Sequence, residues 1–192
     1  MQQNNVYEWI SREENRRKII LSIQQPLTAK QVSRKTGIGK DTCSYLLSKF
    51  ASKGIVSCLN PTARSSRLYW VTELGKEYQR ELSPDYPDLD EDFLKIDWEL
   101  YGWVCFSHRA TIIQILTEPM QPAGMKKKLR LIGSKIPISA NNIRDVIRLF
   151  LQKRIVQKVF VRKKIHPQYE LSEIGTKFRR LLASADRPMQ IR

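Results

Sequence analysis

Asn141, Asn142, Arg144 and Arg148 lie within eight residues of one another in "ANNIRDVIRLFLQK". An asparagine can bond an adenine edge at two points and an arginine a guanine edge, so the chemistry this cluster offers is readout of a duplex through its major groove. Helical spacing would turn Ile143, Ile147 and Phe150 inward and leave the four polar residues outward. One hundred positions earlier, "KDTCSYLLSKFASK" repeats the arrangement. Cys43, Leu47 and Phe50 are the inward set there, and Lys40, Thr42, Ser44, Tyr45 and Lys49 face outward with Asp41 as the one acid. A polar face of this kind also arises on any solvated helix. Asp145 is an objection, because it would repel phosphate unless it pairs with Arg144, Arg148 or a cytosine amine.

Further basic residues gather near these two segments. Arg64 and Arg67 flank a Pro/Ser turn, "PTARSS", while Arg162, Lys163 and Lys164 crowd a second turn, "RKKIHP". With no acid among them, the five could meet phosphates or enter a minor groove, although turn tips are often charged merely because they are exposed. Lys126, Lys127, Lys128 and Arg130 form another basic run, suited to phosphate clamping or to simple solvation.

The elements that would position these groups are written twice. "YWVTELGKEYQREL" (69 to 82) matches "YELSEIGTKFRRLL" (169 to 182), and "YLLSKFASKGIV" (45 to 56) matches "DVIRLFLQKRIV" (145 to 156), with 9 of 26 positions identical at an offset of 100. Chance would give about one or two. Upstream the offset becomes 93, with Ile19, Ile20 and Ile23 against Ile112, Ile113 and Leu116, which places a seven-residue insertion around "KKKLRLIG". Each copy reads locally as helix, helix, helix, hairpin, helix. In the first copy Ser11 and Glu14 make a capping box for the first helix, and Thr28 caps the second, which stops at Gly37. A Gly-Ile-Gly turn then starts a third helix running from Lys40 to about Lys53, closed by Gly54. "IVSCLN" and "RLYWVT" pair as a hairpin, and Thr72 starts the closing helix with Leu74, Tyr78 and Leu82 on one face. Tyr69, Leu74 and Tyr78, and their counterparts Tyr169, Ile174 and Phe178, are expected in the core.

"TGIGKDTCSYLLSKFASKGIV" resembles the recognition-helix segment of winged helix-turn-helix transcription regulators of the MarR-like and ArsR-like kind. Gly39, Lys40, Asp41, Thr42, Cys43, Ser44, Leu47, Phe50 and Gly54 occupy the positions of that pattern. The resemblance covers most of the first copy and, through the duplication, most of the second. It implies a mainly α fold with small β-hairpins (α+β), built as two tandem winged helix-turn-helix domains. The third helices would then read base edges, the hairpins would serve as wings, and Lys126, Lys127 and Lys128 would lie where the second helix crosses the DNA backbone. One chain with two recognition helices would mimic a dimer, on an asymmetric site because the two faces differ.

Charge agrees with a polyanionic partner. The chain of 192 residues carries +15, and seven of its 19 acids fall between Asp85 and Glu99, so the rest holds about +21. "SPDYPDLDED" (83 to 92) reads as a linker. In "FLKIDWELYGWV" after it, Phe93, Ile96, Leu100 and Trp103 follow helical spacing, and the aromatics of 93 to 104 serve either as packing between the copies or as a homodimer surface. The expected organisation is a tail (1 to 10), first winged helix (11 to 83), linker and connecting helix (84 to 104), second winged helix (105 to 185) and C-terminal tail (186 to 192). No apolar run reaches bilayer length and the first ten residues lack signal-peptide character, so a soluble protein of the cytoplasm, or of wherever the DNA lies, is expected.

Catalytic and metal patterns are missing. Cys43, Cys58 and Cys105 form no C-x-x-C pair, and His108 and His166 sit at a helix start and a turn. The expectation is therefore a non-enzymatic, sequence-specific double-stranded DNA binder without cofactor or small-molecule effector, most simply a transcription regulator. A protein-docking or scaffold module, and a replication or plasmid initiator, remain open beside it.

Overall fold

The structure, a computed structural model, describes residues 2 to 84, 96 to 134, 136 to 159 and 166 to 187. Among them are ten helices and five short strands, a mainly helical α+β protein with small antiparallel sheets. Two compact units form, one from residues 1 to 103 with 185 to 192, the other from residues 104 to 184.

The first unit opens with α1 (Gln2–Ser11), where a tail was expected. Its Ile10 is fully buried, Trp9 meets Phe50 edge-on at 5.5 Å, and Tyr7 lies 6.0 Å from Tyr78. Arg16 and Lys53 both sit over the Trp9 ring, 4.4 and 5.0 Å from its centroid. α2 (Glu14–Ser22) follows, and the expected Ser11 capping box is not formed. The Ser11 hydroxyl instead donates to the Glu8 carbonyl within the last turn of α1, and Glu13 takes the cap position through its backbone.

β1 (Leu27–Thr28) leads into α3 (Ala29–Thr36) through a true capping box, Thr28 with Gln31, and Gly37 ends that helix in the left-handed region. α4 (Lys40–Ser52) begins three residues later, with Cys43, Leu46, Leu47 and Phe50 buried. β2 (Val56–Cys58) and β3 (Leu68–Val71) make the hairpin, and β1 joins it to give the order β1-β3-β2. Thr72 caps α5 (Glu73–Leu82). The inward stripe of α5 is Gly75, Tyr78 and Gln79, whereas Leu74 and Leu82 are only half-buried at its edges. α6 (Trp98–Val104) starts where Asp97 accepts the Leu100 amide. Ile96 precedes the helix, its buried residues are Tyr101, Gly102 and Val104, and the expected Phe93 lies outside the described residues.

The second unit contains α7 (Ser107–Ile115), α8 (Pro122–Leu131), α9 (Ala140–Gln152), β4 (Val156–Val159), β5 (Gln168–Leu171) and most of α10 (Glu173–Ala185). Its hairpin has the register of the first: Val156 faces Leu171 as Val56 faces Val71. A bridge between Met120 and Tyr169 stands where β1 pairs Leu27 with Tyr69. The insertion is shared between a longer α8 and a longer connection to α9, so the three-residue turn of the first unit becomes eight residues, 132 to 139. Phe178, Leu181 and Leu182 are buried on α10, but Ile174 is exposed rather than in the core. Residue 174 lies about 70° from the mean direction of Gly175, Phe178 and Leu182, at the edge of the buried stripe in the helix's first turn. Tyr169 is half-buried.

The chemistry that closes each unit is duplicated as well. Thr72 Oγ1 lies 2.6 and 3.0 Å from the Gly54 and Ile55 carbonyls and accepts the Gly75 amide. Ser172 does the same with Arg154, Ile155 and Gly175. Inside the first unit, the buried Gln79 amide donates to the carbonyls of Ile20 and Ile23. At the matching place in the second, Arg179 donates to the Leu116 carbonyl. Both side chains donate to carbonyls at a helix C-terminus, and the arginine adds a favourable charge there.

Candidate functional site

α4 and α9 are presented alike. From residue 41 to 57 and from 141 to 157 the pattern of buried, half-buried and exposed positions is the same residue for residue. Residues that bound the helices contribute to this. Ser139 caps α9 by accepting the Asn142 amide, and Gly54 and Arg154, both at positive φ, turn the chain into the following strand. Lys40, Thr42, Ser44, Tyr45 and Lys49 are all exposed on α4, with Tyr45 at 60% and the Lys49 ammonium 5.6 Å from its ring centroid. On α9 Asn141, Asn142, Arg144, Asp145 and Arg148 are exposed, with Leu149 at 37% beside them.

Contacts along α9 answer the objection raised by Asp145. Its Oδ1 lies 3.4 Å from Arg148 Nη1, so the acid is paired within the helix face. Arg144 Nη1 donates to Asn141 Oδ1 at 3.3 Å. Both pairs are solvent-exposed and contribute little to stability, but they lay two guanidinium groups along one surface.

The remaining expected residues are less uniform. Arg64 and Arg67 are exposed in the loop of the first hairpin, where Arg67 Nε donates to the Ala63 carbonyl. Arg162, Lys163 and Lys164 lie outside the described residues. On α8, Lys127 and Arg130 are exposed and Lys126 is half-buried. Lys128 donates to the Thr117 hydroxyl at 2.7 Å, which ties it into its own unit.

Sequence reasoning passed over several polar residues that shape this region. Asn60 is fully buried at the base of the first hairpin, where its Oδ1 accepts the Leu68 amide and its Nδ2 donates to the Ser66 carbonyl. Gly102 leaves the space Asn60 needs, since a Cβ there would collide with the amide. On α3, Arg34 pairs with Asp186 at 2.6 Å. Burial, with Arg187 next, holds the neighbouring Lys35 ammonium below its ordinary pKa, against an opposing pull from Asp186. Ser48, Ser52 and Gln152 share the exposed faces of α4 and α9 and were missed because only the nearest turns were read.

Cys43 is buried, and burial pushes its thiol up. Cys58 and Cys105 are half-buried rather than buried. No group of three potential metal-ligating side chains occurs among the described residues, and none of their helices is long and apolar enough to cross a membrane.

No family model and no curated protein matches the chain. A solved structure, the DIP2311 protein from Corynebacterium diphtheriae, is similar at 14% identity and a TM-score of 0.28, over 84% of this chain and 27% of that one. The chain thus spans about a quarter of that structure's length. A likeness that low transfers neither fold nor function.

Proposed function

We propose that the chain is a sequence-specific double-stranded DNA-binding protein, a transcription regulator built from two tandem winged helix-turn-helix domains. The observation that carries this reading is the identical presentation of α4 and α9, each a helix with one buried stripe and an exposed face that is polar or basic apart from Leu149 on α9, in a chain of charge +15. In each unit the helix follows a shorter helix and precedes a hairpin, the order of a winged helix. On this reading α4 and α9 enter major grooves, Arg64, Arg67, Arg162, Lys163 and Lys164 form the wing contacts, and Lys126 and Lys127 meet phosphates. Lys128 joins them, since its bond to Thr117 leaves two donors of its ammonium for phosphate.

Duplex binding measured between 50 and 200 mM salt tests this. A protein neutralising about six or more phosphates loses about 10³ or more in affinity over that range. Absence of binding to any duplex at 50 mM salt sinks the proposal. A docking role would then be favoured by Leu131 and Ile132, exposed at 77% and 58% where α8 ends.

A further inference from the structure

α4 and α9 share a geometry and differ in chemistry. Their buried residues fall at the same four places, Cys43, Leu46, Leu47 and Phe50 against Ile143, Val146, Ile147 and Phe150. At about 100° per residue, the direction opposite that stripe passes through positions 41, 45, 48 and 52 of one helix and 141, 145, 148 and 152 of the other. All eight are exposed, and they reach furthest from each unit's core.

On α9 these positions hold Asn141, Asp145, Arg148 and Gln152. Two amides and a guanidinium each offer a two-point hydrogen-bond pattern that fits one base edge, and a carboxylate accepts from a cytosine amine. On α4 they hold Asp41, Tyr45, Ser48 and Ser52. A carboxylate is common to both faces and does not distinguish them, whereas a hydroxyl donates or accepts at a single rotatable point and so fits several bases about equally. Tyr45 with Lys49 presents instead a ring and a cation, suited to a sugar and its phosphate.

Resting on the DNA reading above, we propose that the two helices divide the work: α9 reads base sequence, with Asn141, Arg148 and Gln152 as the specificity-determining residues, and α4 anchors the backbone. The target then has one informative half and one degenerate half, and the informative half belongs to the second unit.

Selection from random duplexes at 50 mM salt, with the wild type, Asn141→Ala/Arg148→Ala and Tyr45→Ala/Ser48→Ala, tests the division. The wild type should enrich one block of specified bases beside a region of little preference. The α9 pair should flatten that block, with preference for the favoured site over random duplex falling about 5- to 150-fold for each lost two-point contact. The α4 pair should keep the block and weaken favoured and random duplexes alike. Two equally informative blocks, a block that survives the α9 pair, or one erased by the α4 pair would each overturn the division while leaving the DNA reading in place. A wild type that retains no duplex overturns the DNA reading, and the division with it. All four side chains are exposed, and an unchanged helical circular dichroism spectrum and melting midpoint confirm that each variant folds.

Discussion

Gly75 and Ile55 are packed backbone to backbone: no space for a Cβ remains between the glycine and the Ile55 carbonyl oxygen. Gly175 stands against the Ile155 carbonyl in the same way. The closing helix of each unit is thereby drawn onto the turn that precedes the hairpin, and Thr72 or Ser172 bonds both sides of the join. Gly75→Ala and Gly175→Ala should each destabilise by about 1 to 3 kcal/mol, since a backbone oxygen cannot step aside as a side chain does. Denaturant midpoints check this, and an unchanged midpoint for either variant contradicts the packing.

Gly54 and Arg154 occupy matching turns at φ 72° and 56°. Only the glycine is free of Cβ strain there, so Gly54→Ala should cost about 1 kcal/mol and Arg154→Gly should raise stability by about as much. Opposite signs in a pair of thermal melts are the expected result. Equal destabilisation would show that Arg154 is held by contacts stronger than its strain.

Gln79 supplies the Ile20 and Ile23 carbonyls from a buried position. Gln79→Leu keeps volume and removes the donor, leaving the Ile23 carbonyl without its side-chain partner and the Ile20 carbonyl with the Ile23 amide alone, at a cost of about 2 kcal/mol. Hydrogen exchange at the end of α2 should quicken in this variant, and a wild-type stability would mean that water replaces the amide without loss.

Alkaline pH should weaken the first unit. Burial raises the Cys43 thiol above its ordinary 9.0, and burial followed by Glu81 and Glu77 raises Tyr78 above 10.0. A raised folded-state value means that the unfolded chain loses its proton first. The stabilisation is therefore whole below the unfolded values and is lost as pH climbs through the folded ones. Tyr78→Phe, which cannot ionise, should show a shallower fall in unfolding free energy between about pH 9 and 11 than the wild type. Parallel curves would exclude Tyr78 as a source of the slope.

If the proposed DNA reading holds, Lys163→Ala/Lys164→Ala should weaken favoured and random duplexes by similar factors and reduce the salt slope by about 2, the signature of lost phosphate contacts. A selective loss at favoured sites, measured in the same titrations, would move the wing from anchoring to reading.

Local chemistry explains which parts of the fold were legible. Thr28, Gly37 and Thr72 announce helix ends because a cap needs only its own few neighbours, and α3, α4 and α5 run between such signals. α1 was not legible as part of the first unit because its signal is a distant one. Tyr7, Trp9 and Ile10 match Tyr101, Trp103 and Val104 at an offset of 94, one residue from the 93 that aligns the next helices. The exposed faces of α4 and α9 follow from helical rotation alone. By contrast, Asp186 pairing with Arg34 and Gly102 closing over the buried Asn60 depend on packing between residues far apart in sequence, and Lys128 bonding Thr117 depends on how two neighbouring helices cross.

The first unit is assembled from two separate lengths of chain, and Ala185, fully buried, is part of its hydrophobic cluster. On a ribosome the residues of α1 to α5 emerge first, yet the cluster they form has a vacancy until residue 185 has left the exit tunnel. The order of synthesis is thus not the order of completion: the unit made first is finished last, after every residue of the other has been translated.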